Sequence, residues 1–193
     1  MSRFRVVVAL AALTVALGGC AGDHANMPHM SGPAATASDG AVVANGADVM
    51  FAQMMIPHHQ QAVEMSDLAP GRSSDPELTS LAAKIKAAQA PEIATMSGWL
   101  TAWGHPTHMP ATMGHGMPGM VSAADMAKLR AASGREFDRL YATFMIAHHE
   151  GAIDMAETEL ADGTNADAKA LAQQIITSQR AEIAEMRTML ERL

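Results

Sequence analysis

Two adjacent histidines set among methionines occur twice in this chain. The first copy reads Met54-Met55-Ile56-Pro57-His58-His59 and continues to Met65; ninety positions later comes Met145-Ile146-Ala147-His148-His149, continuing to Met155. A glutamate follows each second histidine by thirty-three positions, Glu92 and then Glu182, each within a stripe otherwise carrying Leu, Ile and Met. Imidazole nitrogen binds copper, zinc, nickel and iron, whereas thioether sulfur selects Cu(I) and, by the same softness, silver. A di-iron bundle would instead use about four inward carboxylates in Glu-x-x-His motifs, and this sequence has no such motif. The donor mixture therefore points to copper, with Cu(I) favoured; silver, zinc and iron are the further candidates.

The candidate ligands are His58, His59, Glu92, His148, His149 and Glu182, lined by Met55, Met65, Met96, Met145, Met155 and Met186. Gln89, Gln179, Asp48 and Asp138 support them, although aspartates at helix starts serve equally well as caps. Methionine at helical spacing is more often core filler than ligand, and a lone inward histidine is more often a hydrogen-bonded core residue. Repetition of the pair in register, each time with an inward glutamate, weighs against that bland reading. A second group of soft donors lies in residues 104–120: His105, His108, Met109, Met113, His115, Met117 and Met120. A third lies near the N-terminus at His24, Met27, His29 and Met30. Both read as sites holding soft metal separately from the histidine pairs.

The elements that must carry these residues follow from the same repeat. Leu81, Ile85, Gln89, Ile93, Met96 and Leu100 match Leu171, Ile175, Gln179, Ile183, Met186 and Leu190 at the same offset of ninety. One unit of helical hairpin size has been used twice. At 100° per residue, Asp48, Phe51, Met55, His58, His59, Ala62 and Met65 share one face of a helix over 48–68, with Gln60 and Glu64 opposite. The two histidines straddle that face, so their rings look inward in different directions. Pro57 is expected to kink this helix. Residues 69–74 read as a loop, and Asp75-Pro76 as an N-cap and first helical residue. The second helix, to about Trp103, turns Leu78, Leu81, Ile85, Gln89, Glu92, Met96 and Trp99 inward. Residues 104–120, punctuated by Gly and Pro, cannot pack a core. Ser122 and Asp125 open a short helix that Ser133-Gly134 interrupts. A third main helix, 135–160, repeats the first. Asn165 caps the last, which turns Leu171, Ile175, Gln179, Glu182, Met186 and Met189 inward. The expectation is an all-α four-helix bundle made of two repeated hairpins, 48–103 and 121–193, joined by the 104–120 loop.

Composition narrows the class. With 49% hydrophobic and only 4% aromatic residues, 17 Met and a net charge of −7, the chain is a helical, core-forming protein without a basic stripe, so nucleic acid is excluded as a partner. Arg3 and Arg5 precede an apolar run from Val6 to Leu17, too short to span a bilayer and suited to a signal peptide over residues 1–19. Leu17-Gly18-Gly19-Cys20 is similar to a bacterial lipoprotein signal, in which Cys20 is lipidated and residues 20–47 form a flexible tether. Cys20 is the single cysteine, so no internal disulfide forms. Localisation is expected to be extracytoplasmic, anchored by lipid to a bacterial membrane.

Met-Ile-Pro-His-His-Gln-Gln-Ala-Val-Glu-Met, Met-Ile-Ala-His-His-Glu-Gly-Ala-Ile-Asp-Met and the Gln-x-x-Glu-Ile-x-x-Met pattern at 89–96 and 179–186 resemble the DUF305 family. The resemblance covers about residues 46–193 and implies a ferritin-like helical bundle of the periplasmic copper-binding type. It implies a role in metal tolerance carried by His58, His59, Met55, Met65, Glu92, Met96 and their second-copy partners. Gln61 departs from the pattern, standing where the second copy has the more usual Gly151. The functional expectation is a copper-binding lipoprotein that sequesters Cu(I) or Cu(II) or hands it to other copper-handling proteins, and not an enzyme. Its rivals are a metal oxidase of ferritin-like type and a purely structural envelope bundle.

Overall fold

The computed structural model describes residues 43–108 and 117–193. The signal, Cys20, His24, Met27, His29, Met30, Met109, Met113 and His115 lie outside them. Five helices and no strand occur among the described residues: α1 (Gly46–Arg72), α2 (Pro76–Ala102), α3 (Ala123–Ala131), α4 (Gly134–Asp162) and α5 (Ala166–Arg192). The expected all-α bundle is what forms. None of these helices is long and apolar enough to cross a membrane.

Capping sets the boundaries. Asn45 accepts from the amides of Ala47 and Asp48, while Asp48 reaches back to the Asn45 amide, a capping box that starts α1 before the expected Asp48. Asp75 and Asn165 cap α2 and α5 as the sequence implies, each accepting from two backbone amides. The Ser122 hydroxyl accepts from the Asp125 amide and opens the short α3. The loop expected from residue 69 starts later. Helix α1 runs on through Pro57 and Pro70 to Arg72, because the buried Ala69 still belongs to its core face.

Helices α1 and α2 form one hairpin, α4 and α5 the other, and the hairpins meet chiefly along α1 and α4. Phe51, Met55, Ala62 and Met65 of α1 are buried against Tyr141, Met145, Ala152 and Met155 of α4, while Leu78, Leu81, Ile85, Met96, Ile175 and Met186 fill the space within the hairpins. Ser66 and Tyr141 share a buried hydrogen bond of 3.0 Å across the seam, satisfying a phenol that has Phe51 as its repeat counterpart. Trp99 and Leu171, expected fully inward, are half-buried at the margins of the core.

Asp48 and Asp138 prove to be staples between chain segments. Asp48 accepts from the amides of Thr164 and Asn165 and from the Thr164 hydroxyl; Asp138 accepts from the amide and hydroxyl of Ser74, the repeat counterpart of Thr164. Burial alone would push the Asp48 carboxyl up, yet the amides of Asn45 and Asn165 hold it below the usual carboxylate range. Each aspartate thus ties the start of its own helix to the turn between the helices of the opposite hairpin.

Candidate metal centre

His58, His59, His148 and His149 are all fully buried. Their ring directions differ as helix geometry requires. His59 turns into its own hairpin, where Nε2 lies 2.7 Å from Glu92 Oε2 of α2. His149 and Glu182 repeat that contact at 2.7 Å in the second hairpin. His58 and His148 turn instead to the seam, where their ring centroids are 3.7 Å apart. Each hairpin therefore delivers one imidazole to the seam and turns its neighbour to a carboxylate within the hairpin.

Hydrogen bonding fixes which ring nitrogen remains open. Pro118 has a carbonyl at 3.0 Å from His58 Nε2, and a carbonyl only accepts, so Nε2 carries the proton and Nδ1 the lone pair. A carboxylate likewise accepts from Nε2–H of His59 and of His149, leaving Nδ1 of each as the free atom. Among the described residues, Nδ1 of His58, His59 and His149 and both nitrogens of His148 have no hydrogen-bond partner. Both side-chain polar atoms of Gln89 and the carbonyl oxygen of Gln179 are also without partners. Unpaired buried polar atoms are unusual in a folded core, and each calls for a reason. Burial, with His59 beside it, pushes the His58 pKa down to about 3; burial and the nearby His58 drive His148 well below its ordinary value. Both rings are neutral at neutral pH, so protons do not compete for their lone pairs.

Glu92 and Glu182 are not the fully buried carboxylates expected from the stripe. Their side chains keep 12% and 17% exposure, enough for water to solvate one oxygen while the other meets the imidazole. Met55 and Met145 lie one turn before the histidines on the same buried faces, and Met96 and Met186 lie one turn after the glutamates. Met65 is buried further along α1, and Met155 lines a different cavity. Among the described residues no three His, Cys, Asp or Glu side chains already converge as a ligand set. Of the loop donors, His105 and His108 are exposed, while Met117 and Met120 are half-buried.

The sequence did not reveal the strap that covers this cluster. Residues 117–121 lie over the seam, although the 104–120 segment reads as unable to pack. Gly119 has φ +74°, and a Cβ there would strike the Ala147 carbonyl. A Cβ on Gly151 would strike the Pro118 carbonyl, so α4 offers a notch into which the strap fits. On α1 the counterpart Gln61 donates to the Val121 carbonyl at 2.9 Å and accepts from its amide at 2.7 Å. The departure at Gln61 is thus the clamp that complements the notch. That asymmetry between two matched positions was the available signal.

A family model described as a domain of unknown function, DUF305, matches residues 48–190. The chain belongs to the DUF305 family. Among solved structures, a DUF305 protein from Streptomyces coelicolor, described as presumed secreted, is 39% identical with a TM-score of 0.71, over 76% of this chain and 93% of its own. A DUF305 fragment from Deinococcus radiodurans is 34% identical with a TM-score of 0.71, over 78% and 99%. CopM in its Cu(II)-bound form is 35% identical with a TM-score of 0.67, over 75% and 96%; it has also been solved with Cu(I) and with Ag. No curated protein matches the chain. In this DUF305 chain the doubled His-His motif accordingly sits on a fold shared with CopM, which has been solved with copper and with silver bound.

Proposed function

We propose that the protein binds copper at the seam between its two hairpins, as a lipid-anchored extracytoplasmic protein that sequesters the ion or hands it on. The observation that carries this reading is the set of five unpartnered imidazole nitrogens on four buried histidines. A core built only for stability would satisfy or replace such atoms. Neutral imidazole suits Cu(II), and the thioethers of Met55 and Met145, one turn away, would add the soft donors that favour Cu(I). CopM, similar over three-quarters of this chain, binds both oxidation states and silver.

His58 and His148 would be the principal ligands, because neither donates to a carboxylate and both face the seam. Glu92 and Glu182 would act through His59 and His149, fixing the tautomer and raising ligand basicity. The sequence offers no Glu-x-x-His pair for a carboxylate-bridged oxidase centre, which favours binding and release over turnover. The test is copper uptake by His58→Ala with His148→Ala. Wild type should bind copper at the seam, and the double variant should lose that ion while keeping its helical spectrum. Undiminished copper in a folded variant would refute the reading.

A further inference from the structure

A cavity of about 470 Å³ opens beside α1 and α4, away from the histidine rings. Three thioethers line it, those of Met50, Met54 and Met155. They stand at graded depth: Met50 is 54% exposed, Met54 is half-buried, and Met155 is 7% exposed. The only titratable side chains in the described wall are acidic: Asp154 and Asp162, both exposed, and the buried Glu159. Glu159 is fully buried, and neither carboxyl oxygen has a hydrogen-bond partner among the described residues. Pro118 also belongs to the wall, and its carbonyl is the acceptor for His58 Nε2. One residue therefore stands between this cavity and the histidine cluster.

Packing does not explain the sulfurs of Met50 and Met54. The repeat places Leu140 and Phe144 where α1 has Met50 and Met54, and Ala69 where α4 has Glu159. Hydrocarbon serves at these equivalent positions of the other hairpin, so two of the three thioethers and a carboxyl are found on one side only, while Met155 is matched by Met65. Thioether is a poor ligand for hard cations and a good one for Cu(I) and Ag(I). A wall with acids and no base suits a cation over an anion. Three neutral sulfurs leave a monovalent charge that the carboxylates of Asp154 and Asp162 can balance.

We propose that this cavity is a second metal site, which takes a soft monovalent cation, Cu(I) or Ag(I), on Met50, Met54 and Met155. The proposal rests on the copper-binding reading for the identity of the physiological ion, while the site itself is defined by thioether chemistry independent of the histidines. Depth grading from an exposed to a buried sulfur, in a wall that also holds the residue bonded to His58, makes it the entry point for ions bound for the seam.

The test uses the full chain with its methionine methyl groups labelled with carbon-13, titrated with silver nitrate. The Met50, Met54 and Met155 methyl signals should shift together and saturate with a single ion, in wild type and equally in His58→Ala with His148→Ala. Met50→Leu with Met54→Phe installs the residues of the second copy; it should bind one Ag(I) fewer and leave Cu(II) uptake at the histidines unchanged. Methyl signals at these three residues that ignore silver would overturn the proposal, whatever the variant does. So would an unchanged silver count in the folded double variant. Signals that answer to an apolar probe such as benzene, and not to silver, would make the cavity a hydrocarbon pocket. Failure of the histidine reading would show separately, as absence of Cu(II) uptake by wild type.

Discussion

A buried histidine is useful to a metal only through the ring nitrogen that carries no proton, so its second hydrogen bond decides its chemistry. Here the glutamates and the Pro118 carbonyl take Nε2–H from three rings and leave Nδ1 open. The sequence made part of this legible: two consecutive helical residues point about 100° apart, so one histidine of each pair had to face elsewhere than its neighbour. It could not say which, because the glutamate partners come from another helix. Neutralising those partners tests their role. Glu92→Gln with Glu182→Gln keeps an acceptor for each Nε2–H but removes the charge that strengthens the ring as a donor. Copper affinity should fall roughly 10–100-fold, with the melting temperature of the metal-free protein nearly unchanged because Gln still accepts from each Nε2–H and the carboxyl groups already reach water. Equal affinity in a calorimetric titration would remove both glutamates from the site.

At the scale of elements, periodicity and capping located the helices, since apolar spacing and Asx caps are local properties of the chain. Asp75-Pro76, Asn165 and Ser122 each start a helix where local chemistry implies. Helix α1 outlasts its expected end because Pro70 and Gly71 are breakers locally, whereas tertiary burial of Ala69 sustains the last turn. The strap was illegible for a related reason. A Met-Pro-Gly-Met run has no periodicity, and its order comes wholly from a notch and a clamp on two other helices. Filling the notch should therefore be felt. Gly151→Ala sets a methyl against the Pro118 backbone, and overpacking of this kind costs about 1–3 kcal/mol. Gln61→Ala removes two hydrogen bonds and should destabilise by about 1–2 kcal/mol. Chemical denaturation of the metal-free variants measures both; wild-type midpoints would show that the strap is not held against the seam.

For the whole molecule, duplication supplied the architecture, and the places where the copies differ supplied what the duplication hid. Glu159 is the sharpest difference. It occupies the position of Ala69, and it fits only because Gly163, opposite Ser73 in the repeat, has no Cβ to strike its carboxyl. Burial, with the Asp48 carboxyl beside it, pushes Glu159 up to about 8 from an ordinary 4.5, partly offset by Lys169. The unfolded chain then releases this proton near the ordinary value while the native protein keeps it. Stability contributed by Glu159 is complete below pH 4.5 and is lost as pH rises towards 8, with a slope of at most about 1.4 kcal/mol per pH unit. His58 and His148 act in the opposite sense, because their native pKa values are lowered: they remove stability as pH falls below the ordinary 6.5. The metal-free protein should therefore melt at progressively lower temperature between about pH 6.5 and 8, where Glu159 alone of these groups is titrating between native and unfolded states. Glu159→Ala, the residue of the first copy, should abolish that decline and raise the melting temperature at pH 8, while leaving the acid limb in place. Thermal melts of both proteins in chelator at pH 5, 6.5 and 8 decide the matter. Parallel curves for wild type and variant would mean that Glu159 is already ionised in the folded protein, with Lys169 as its partner.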